Sequence, residues 1–128
     1  MKLINSVKSL GGKIVDLDIS NKLTKDQINF INQSWDERLV LVFKKQNLDD
    51  YKLINFSKYF GELDPPGPNP YGITFLPEFP EINVISNVKN EQGTPIGNLG
   101  DGEAVWHADM TYLQLPDRKS TRLNSSHQ

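Results

Sequence analysis

The stretch GEAVWHADMTY, residues 102–112, is the part of this sequence whose reading decides the fold. It is rich in apolar and aromatic residues and sets His107 two positions before Asp109. On a strand, residues i and i+2 project from the same face. His107 and Asp109 then stand side by side, while Trp106, Ala108 and Met110 face the other way and pack a core. An imidazole nitrogen and a carboxylate oxygen so placed can take adjacent corners of one divalent cation. A histidine with an acid two residues on also arises by chance on surface strands, so the pair has to be weighed with its surroundings.

The last twelve residues, DRKSTRLNSSHQ (117–128), read like nothing before them. They are polar and basic, with no hydrophobic period. They also match, at every position from Asp117 to His127, the in-frame translation of a widely used short-read sequencing adapter. We therefore expect Pro116 to be the last residue encoded by the organism, with residues 1–116 forming the N-terminal portion of a domain. Residues 117–128 are an artefact tail on this reading. His127 is then removed as a candidate ligand, which leaves His107 as the only histidine of the body.

The 128 residues are 37% hydrophobic and 23% charged, with a net charge of −2, an ordinary globular composition. Setting aside Asp117, Arg118, Lys119 and Arg122 leaves 11 basic and 15 acidic residues, so nucleic acid and anionic membranes are not expected partners. No apolar run approaches a membrane span. The opening MKLINSVKSLGGK lacks the apolar core and cleavage site of a signal peptide. There is no cysteine, hence no disulfide and no thiolate site. A cytoplasmic protein is expected.

Working back from the HxD stretch, residues 81–88 (EINVISNV) alternate Ile82, Val84 and Ser86 on one side, as a strand does. Residues 89–103 contain four glycines and read as a loop. DPPGPNPYG (64–72) has four prolines in nine residues and demands an irregular loop. Upstream, LDDYKLINFSKYFGEL predicts a helix started by Asp49 or Asp50 and ended by Gly61. LVLVF (39–43) is a continuous apolar run, the pattern of a strand buried on both faces. Thr24 with Gln27 makes a capping-box pattern, and Ile28, Ile31 and Trp35 form one apolar stripe of a helix ending near Arg38. Residues 11–20 read as a short strand or two after a glycine turn, with Ile14, Leu17 and Ile19 as the apolar positions.

Taken together, these pieces resemble the TauD/TfdA family of Fe(II)- and 2-oxoglutarate-dependent dioxygenases over nearly all of residues 1–116. The family's I-x-x-L-D-L-S stretch is similar to residues 14–20, and its L-T-x-x-Q helix start to residues 23–27. Its L-V-F-x-x-Q-x-L strand is matched by residues 41–48, and F-x-x-x-F-G-E-L by residues 56–63. W-H-x-D-x-[TS]-[FY] is matched by residues 106–112. The pieces occur in order and at family-like spacing.

The resemblance implies an α+β, mainly β fold, a double-stranded β-helix or jelly roll of the clavaminate synthase-like kind, present here only as its N-terminal part. It implies His107 and Asp109 as two ligands of Fe(II), with 2-oxoglutarate as cosubstrate and O2 as oxidant. The reaction implied hydroxylates a small organic substrate and releases succinate and CO2. The third ligand, a distal histidine, and the arginine that pairs the far carboxylate of 2-oxoglutarate fall beyond Pro116 in the family. This polypeptide is accordingly expected to be inactive and poorly folded by itself. A homo-oligomer stays open for the full-length protein.

Family substrates are small organic anions, including taurine, other sulfonates, alkyl sulfates and aryloxyacetates. The taurine enzymes carry a substrate-binding histidine shortly after the F-G-E-L turn, where this chain has DPPGPNPYG and no histidine, which speaks against taurine. Tyr71, Asn87 and Asn98 are the candidate substrate contacts, because binding residues concentrate on loops. Each also has a structural alternative, Tyr71 over apolar surface and the two asparagines in turn backbone. Thr111 and Tyr112 are expected to finish the strand. The alternative at the level of function is a non-catalytic jelly-roll binding domain that has lost its iron site, against which the intact HxD speaks. A zinc hydrolase needs further ligands, and the body offers no second histidine and no cysteine.

Overall fold

The computed structural model describes residues 1–7, 10–63 and 73–97. The chain divides into two units, Met1–Gly61 and Glu62–Gln128, each described here by itself.

The first unit is a three-stranded mixed sheet with two helices. β1 (Lys2–Asn5) pairs antiparallel with β2 (Gly12–Val15), and β2 pairs parallel with β3 (Leu41–Phe43), in the order β1-β2-β3. α1 (Lys25–Arg38) lies between β2 and β3 in sequence, and α2 (Asp50–Ser57) follows β3. A parallel pair needs such a crossover, and a helix is its usual form. Leu3, Ile14 and Phe43 are register partners across the three strands and all face the core. Ile31 of α1 and Phe56 of α2 close over Ile14, with Leu17, Ile19 and Leu23 completing the cluster. Phe56 packs edge-on against both Phe43 and Phe60, at centroid distances of 5.6 and 5.1 Å.

The helix boundaries follow from their caps. The Thr24 hydroxyl accepts from the Gln27 N–H at 3.3 Å, and the Gln27 side chain accepts from the Thr24 N–H at 2.8 Å, the reciprocal capping box the spacing predicts. At the other end Leu39 turns left-handed, φ 63°, and its N–H donates to the Trp35 carbonyl. Trp35 is half-buried rather than fully in the core. Its ring stands edge-on to Phe60 and its indole N–H donates to the Leu39 carbonyl at 2.9 Å. Asp49 caps α2 by accepting from the Lys52 N–H at 2.8 Å. α2 ends at Ser57, short of Gly61, and tight turns carry the chain through Phe60.

Two further features differ from the sequence expectations. β1 was not anticipated: KLIN is short, and only its pairing with β2 makes it a strand. The apolar run 39–43 is buried on one face only. Leu41 and Phe43 pack on the core, Val42 between them points to the opposite, exposed face, and Leu39 and Val40 are exposed ahead of the strand. The described residues hold a small mixed sheet with more helix than strand, and the jelly roll lies outside what they show.

In the second unit, residues 82–88 form no assigned strand, although Ile82, Val84 and Ser86 are half-covered and their neighbours exposed, the burial alternation expected of a strand. No ladder of strand length forms there among the described residues. Instead the chain reverses at residues 90–93. The Asn90 side chain accepts from the Gln92 and Thr94 N–H groups, and Gly93 adopts φ 79°. Lys89 bridges Pro95, and the Ile96 N–H donates to the Val88 carbonyl at 3.1 Å. The glycine-rich stretch read as a loop thus begins as the return arm of a hairpin. Gly97 is buried against the first arm, and a Cβ there would lie 2.7 Å from the Ser86 nitrogen and 2.9 Å from the Val84 oxygen. Among the described residues no helix is long and apolar enough to cross a membrane.

Candidate functional site

His107 and Asp109, the expected metal ligands, lie outside the described residues, as do Tyr71 and Asn98. Asn87 is described. It is exposed, three residues before the hairpin turn that begins at Asn90. Among the described residues no three His, Cys, Asp or Glu side chains gather as a metal centre would require. The donor set is therefore legible only as chemistry: one imidazole and one carboxylate at strand spacing. That pair suits Fe(II) and leaves further coordination positions to be filled.

The motif residues that are described have architectural roles. Gln46, from the L-V-F-x-x-Q-x-L match, reaches across to the segment that carries the I-x-x-L-D-L-S match. Its Oε1 accepts from the Ile19 N–H at 2.9 Å, and its Nε2 donates to the Leu17 carbonyl at 3.1 Å and the Lys44 carbonyl at 3.0 Å. The Tyr59 hydroxyl, inside the F-x-x-x-F-G-E-L match, accepts from the Leu23 N–H at 3.1 Å, where the L-T-x-x-Q match begins. Nothing local in the sequence signals either bond. Both connect positions that are far apart along the chain.

Among the described residues the carboxyl of Asp18 is the one whose acidity is clearly altered. Hydrogen bonds from the Ser20 side chain and backbone hold it below the usual carboxylate range, and the Lys52 charge acts in the same direction. The Ser20 N–H to Asp18 Oδ1 distance is 2.9 Å, and the Asn21 amide donates to Oδ2 at 2.8 Å. This fully exposed carboxylate organises a turn. Nearby, Lys22, Lys52 and Lys58 rim an open depression floored by Phe56 and Tyr59. Lys52 forms an ion pair with Asp49 at 3.5 Å.

The model of the family described as "Taurine catabolism dioxygenase TauD, TfdA family" matches residues 5–121, and the chain belongs to that family. Over 108 residues it is 33% identical to pentalenolactone F synthase from Streptomyces avermitilis, covering 81% of this chain and 33% of that protein. Over 116 residues it is 24% identical to an alpha-ketoglutarate-dependent 2,4-dichlorophenoxyacetate dioxygenase from a Burkholderia species, covering 85% of this chain and 38% of that one. Among solved structures it is similar to AAD-2 in complex with Mn(II) and N-oxalylglycine, with a TM-score of 0.48 and 23% identity. That match covers 50% of this chain and 25% of the other. The chain spans about a third of the length of the curated relatives it matches.

Proposed function

We propose that the chain is the N-terminal part of a dioxygenase that uses Fe(II), 2-oxoglutarate and O2 to hydroxylate a small organic anion in the cytoplasm. The observation that carries this reading is the family match over residues 5–121, a span that contains both His107 and Asp109. The Burkholderia relative, named for its alpha-ketoglutarate dependence, supports the choice of cosubstrate. The fold of the complete domain is, on this reading, the double-stranded β-helix.

His107 and Asp109 would hold Fe(II) through an imidazole nitrogen and a carboxylate oxygen. Bound iron supplies the coupling of O2 reduction to decarboxylation of 2-oxoglutarate, leaving succinate and CO2. Were residues 106–110 to form a strand, it would present both donors from one face and Trp106 and Met110 from the other. Asn87, exposed beside the hairpin turn, offers an amide that can donate to or accept from a polar substrate group. Tyr71 and Asn98 are the companion candidates from the sequence. Taurine itself is a poor candidate, since residues 64–72, DPPGPNPYG, hold no histidine.

A third ligand and its surroundings set the affinity of such an iron site, so activity is to be measured on the full-length product. The test is long-read sequencing of the source DNA across codon 116, followed by assay of that product. A frame continuing to a distal histidine and an arginine, with iron-dependent succinate formation, bears the proposal out. A stop directly after Gln128, or a complete protein that forms no succinate with any small anion, sinks it.

A further inference from the structure

One side of α2 and the segment ahead of α1 enclose a cationic depression. Lys52, Asn55, Phe56 and Tyr59 follow at i, i+3, i+4 and i+7, so a single stripe of the helix and the turn after it forms one wall. Lys22 belongs to the opposite wall, and Lys58 stands at the C-cap of α2. The open space between them is about 440 Å³, within the roughly 300–1,000 Å³ of small-molecule sites. Both walls are fixed in place. The Leu23 N–H donates to the Tyr59 hydroxyl at 3.1 Å, from one wall to the other, and Ile19, Leu23 and Phe56 all belong to the core.

The charge of this depression runs against that of the chain. The net charge is −2, yet among the described residues three lysines and no carboxylate line the depression. Lys52 is already engaged, pairing with Asp49 at 3.5 Å and donating to the Asn47 carbonyl at 3.4 Å. The side chains of Lys22, Asn55 and Lys58 make no ion pair or hydrogen bond among the described residues. The Tyr59 hydroxyl accepts from Leu23 and so keeps its own proton to donate.

We propose that this depression binds a phosphate monoester, its phosphate held by the Lys22 and Lys58 ammonium groups and its apolar body resting on Tyr59 and Phe56. A dianion matches two unpaired ammonium groups. Lysines serve phosphate as point charges, whereas the planar fork that suits a carboxylate belongs to arginine, and no arginine lines the depression. The Asn55 amide and the Tyr59 O–H add neutral donors. No iron chemistry enters, so the site stands or falls independently of the catalytic reading.

The test is calorimetric titration of the full-length product with phenyl phosphate, without added iron and at physiological ionic strength. Saturable one-to-one binding is expected, and the double variant Lys22→Gln/Lys58→Gln should weaken it by about tenfold or more. Both lysines are exposed, so the melting temperature without ligand should stay that of wild type. Inorganic phosphate should bind more weakly because it leaves the aromatic floor uncovered, and benzoate because it carries a single charge. Absence of saturable binding, or equal affinity in wild type and the double variant, overturns the proposal. So does inorganic phosphate binding as tightly as the ester, which makes the ligand a free ion, or benzoate doing so, which makes it a carboxylate.

Discussion

The side chain of Gln46 holds the backbone of Ile19. Its Oε1 takes the Ile19 N–H at 2.9 Å, and its Nε2 returns a bond to the Leu17 carbonyl two residues earlier. One amide thus ties the segment after β2 to the segment after β3, on either side of the parallel strand pair. Leu17 and Ile19, the two residues it brackets, are both core residues. The bond geometry and the apolar packing therefore support each other.

Replacing Gln46 by Ala leaves an N–H and a carbonyl without their partner at a part-buried position. A loss of about 1–3 kcal/mol in stability is expected. Gln46→Glu keeps the acceptor and removes the donor, so it should fall between wild type and Gln46→Ala. Urea denaturation of the full-length product gives the order. Equal midpoints for all three proteins would show that the bracket contributes nothing.

Thr24→Ala removes one half of the α1 capping box and should cost about 1 kcal/mol, while Thr24→Ser keeps most of it. The comparison of the two variants by thermal melting separates the cap from any packing by the threonine methyl.

Gly97→Ala places a methyl group 2.7 Å from the Ser86 nitrogen and 2.9 Å from the Val84 oxygen. Backbone atoms cannot step aside as a flexible side chain can, so the hairpin arms must separate, at about 1–3 kcal/mol. By contrast, a methyl at Gly12 meets chiefly the Leu3 Cδ1 atom, at 2.8 Å, a side-chain end that can rotate away. Gly97→Ala should therefore be the more damaging of the two in a denaturation series. The reverse order would contradict the packing described.

Asp18 sets a pH dependence whose sign is fixed. Its carboxyl is held below the ordinary value of 3.8 in the folded chain, chiefly by the Ser20 hydrogen bonds. The folded state thus favours the ionised form, and the stabilisation is present above pH 3.8. It is lost as pH falls below that value through the lowered one. Asp18→Asn should be less stable than wild type at neutral pH and should approach it in acid. A stability gap that stays constant through the acid range would rule out the linkage.

If His107 and Asp109 hold Fe(II) as proposed, His107→Ala and Asp109→Ala in the full-length product should each reduce succinate formation by more than about a hundredfold and weaken Fe(II) binding. Asn87→Ala should instead raise KM for the substrate while leaving iron affinity unchanged. Metal titration together with steady-state kinetics distinguishes the two patterns.

What the sequence by itself determined is local. The capping pair Thr24 and Gln27, an acidic start at Asp49 or Asp50 and the apolar stripe through Ile31 mark both helices, because a cap and a helical period are written within a few residues of each other. The HxD spacing and the order of the family motifs were legible in the same way, and they fix the family before any strand is placed. The tertiary structure decided everything that depends on which segments meet. KLIN became β1 only through its partner, LVLVF was left exposed along one side, and residues 89–97 closed into a hairpin against the arm before them. Gln46 and Tyr59 found backbone partners 27 and 36 positions away, a separation over which side-chain type carries no local signal. Helix periodicity and capping depend on neighbours in sequence, whereas strand pairing and burial depend on neighbours in space.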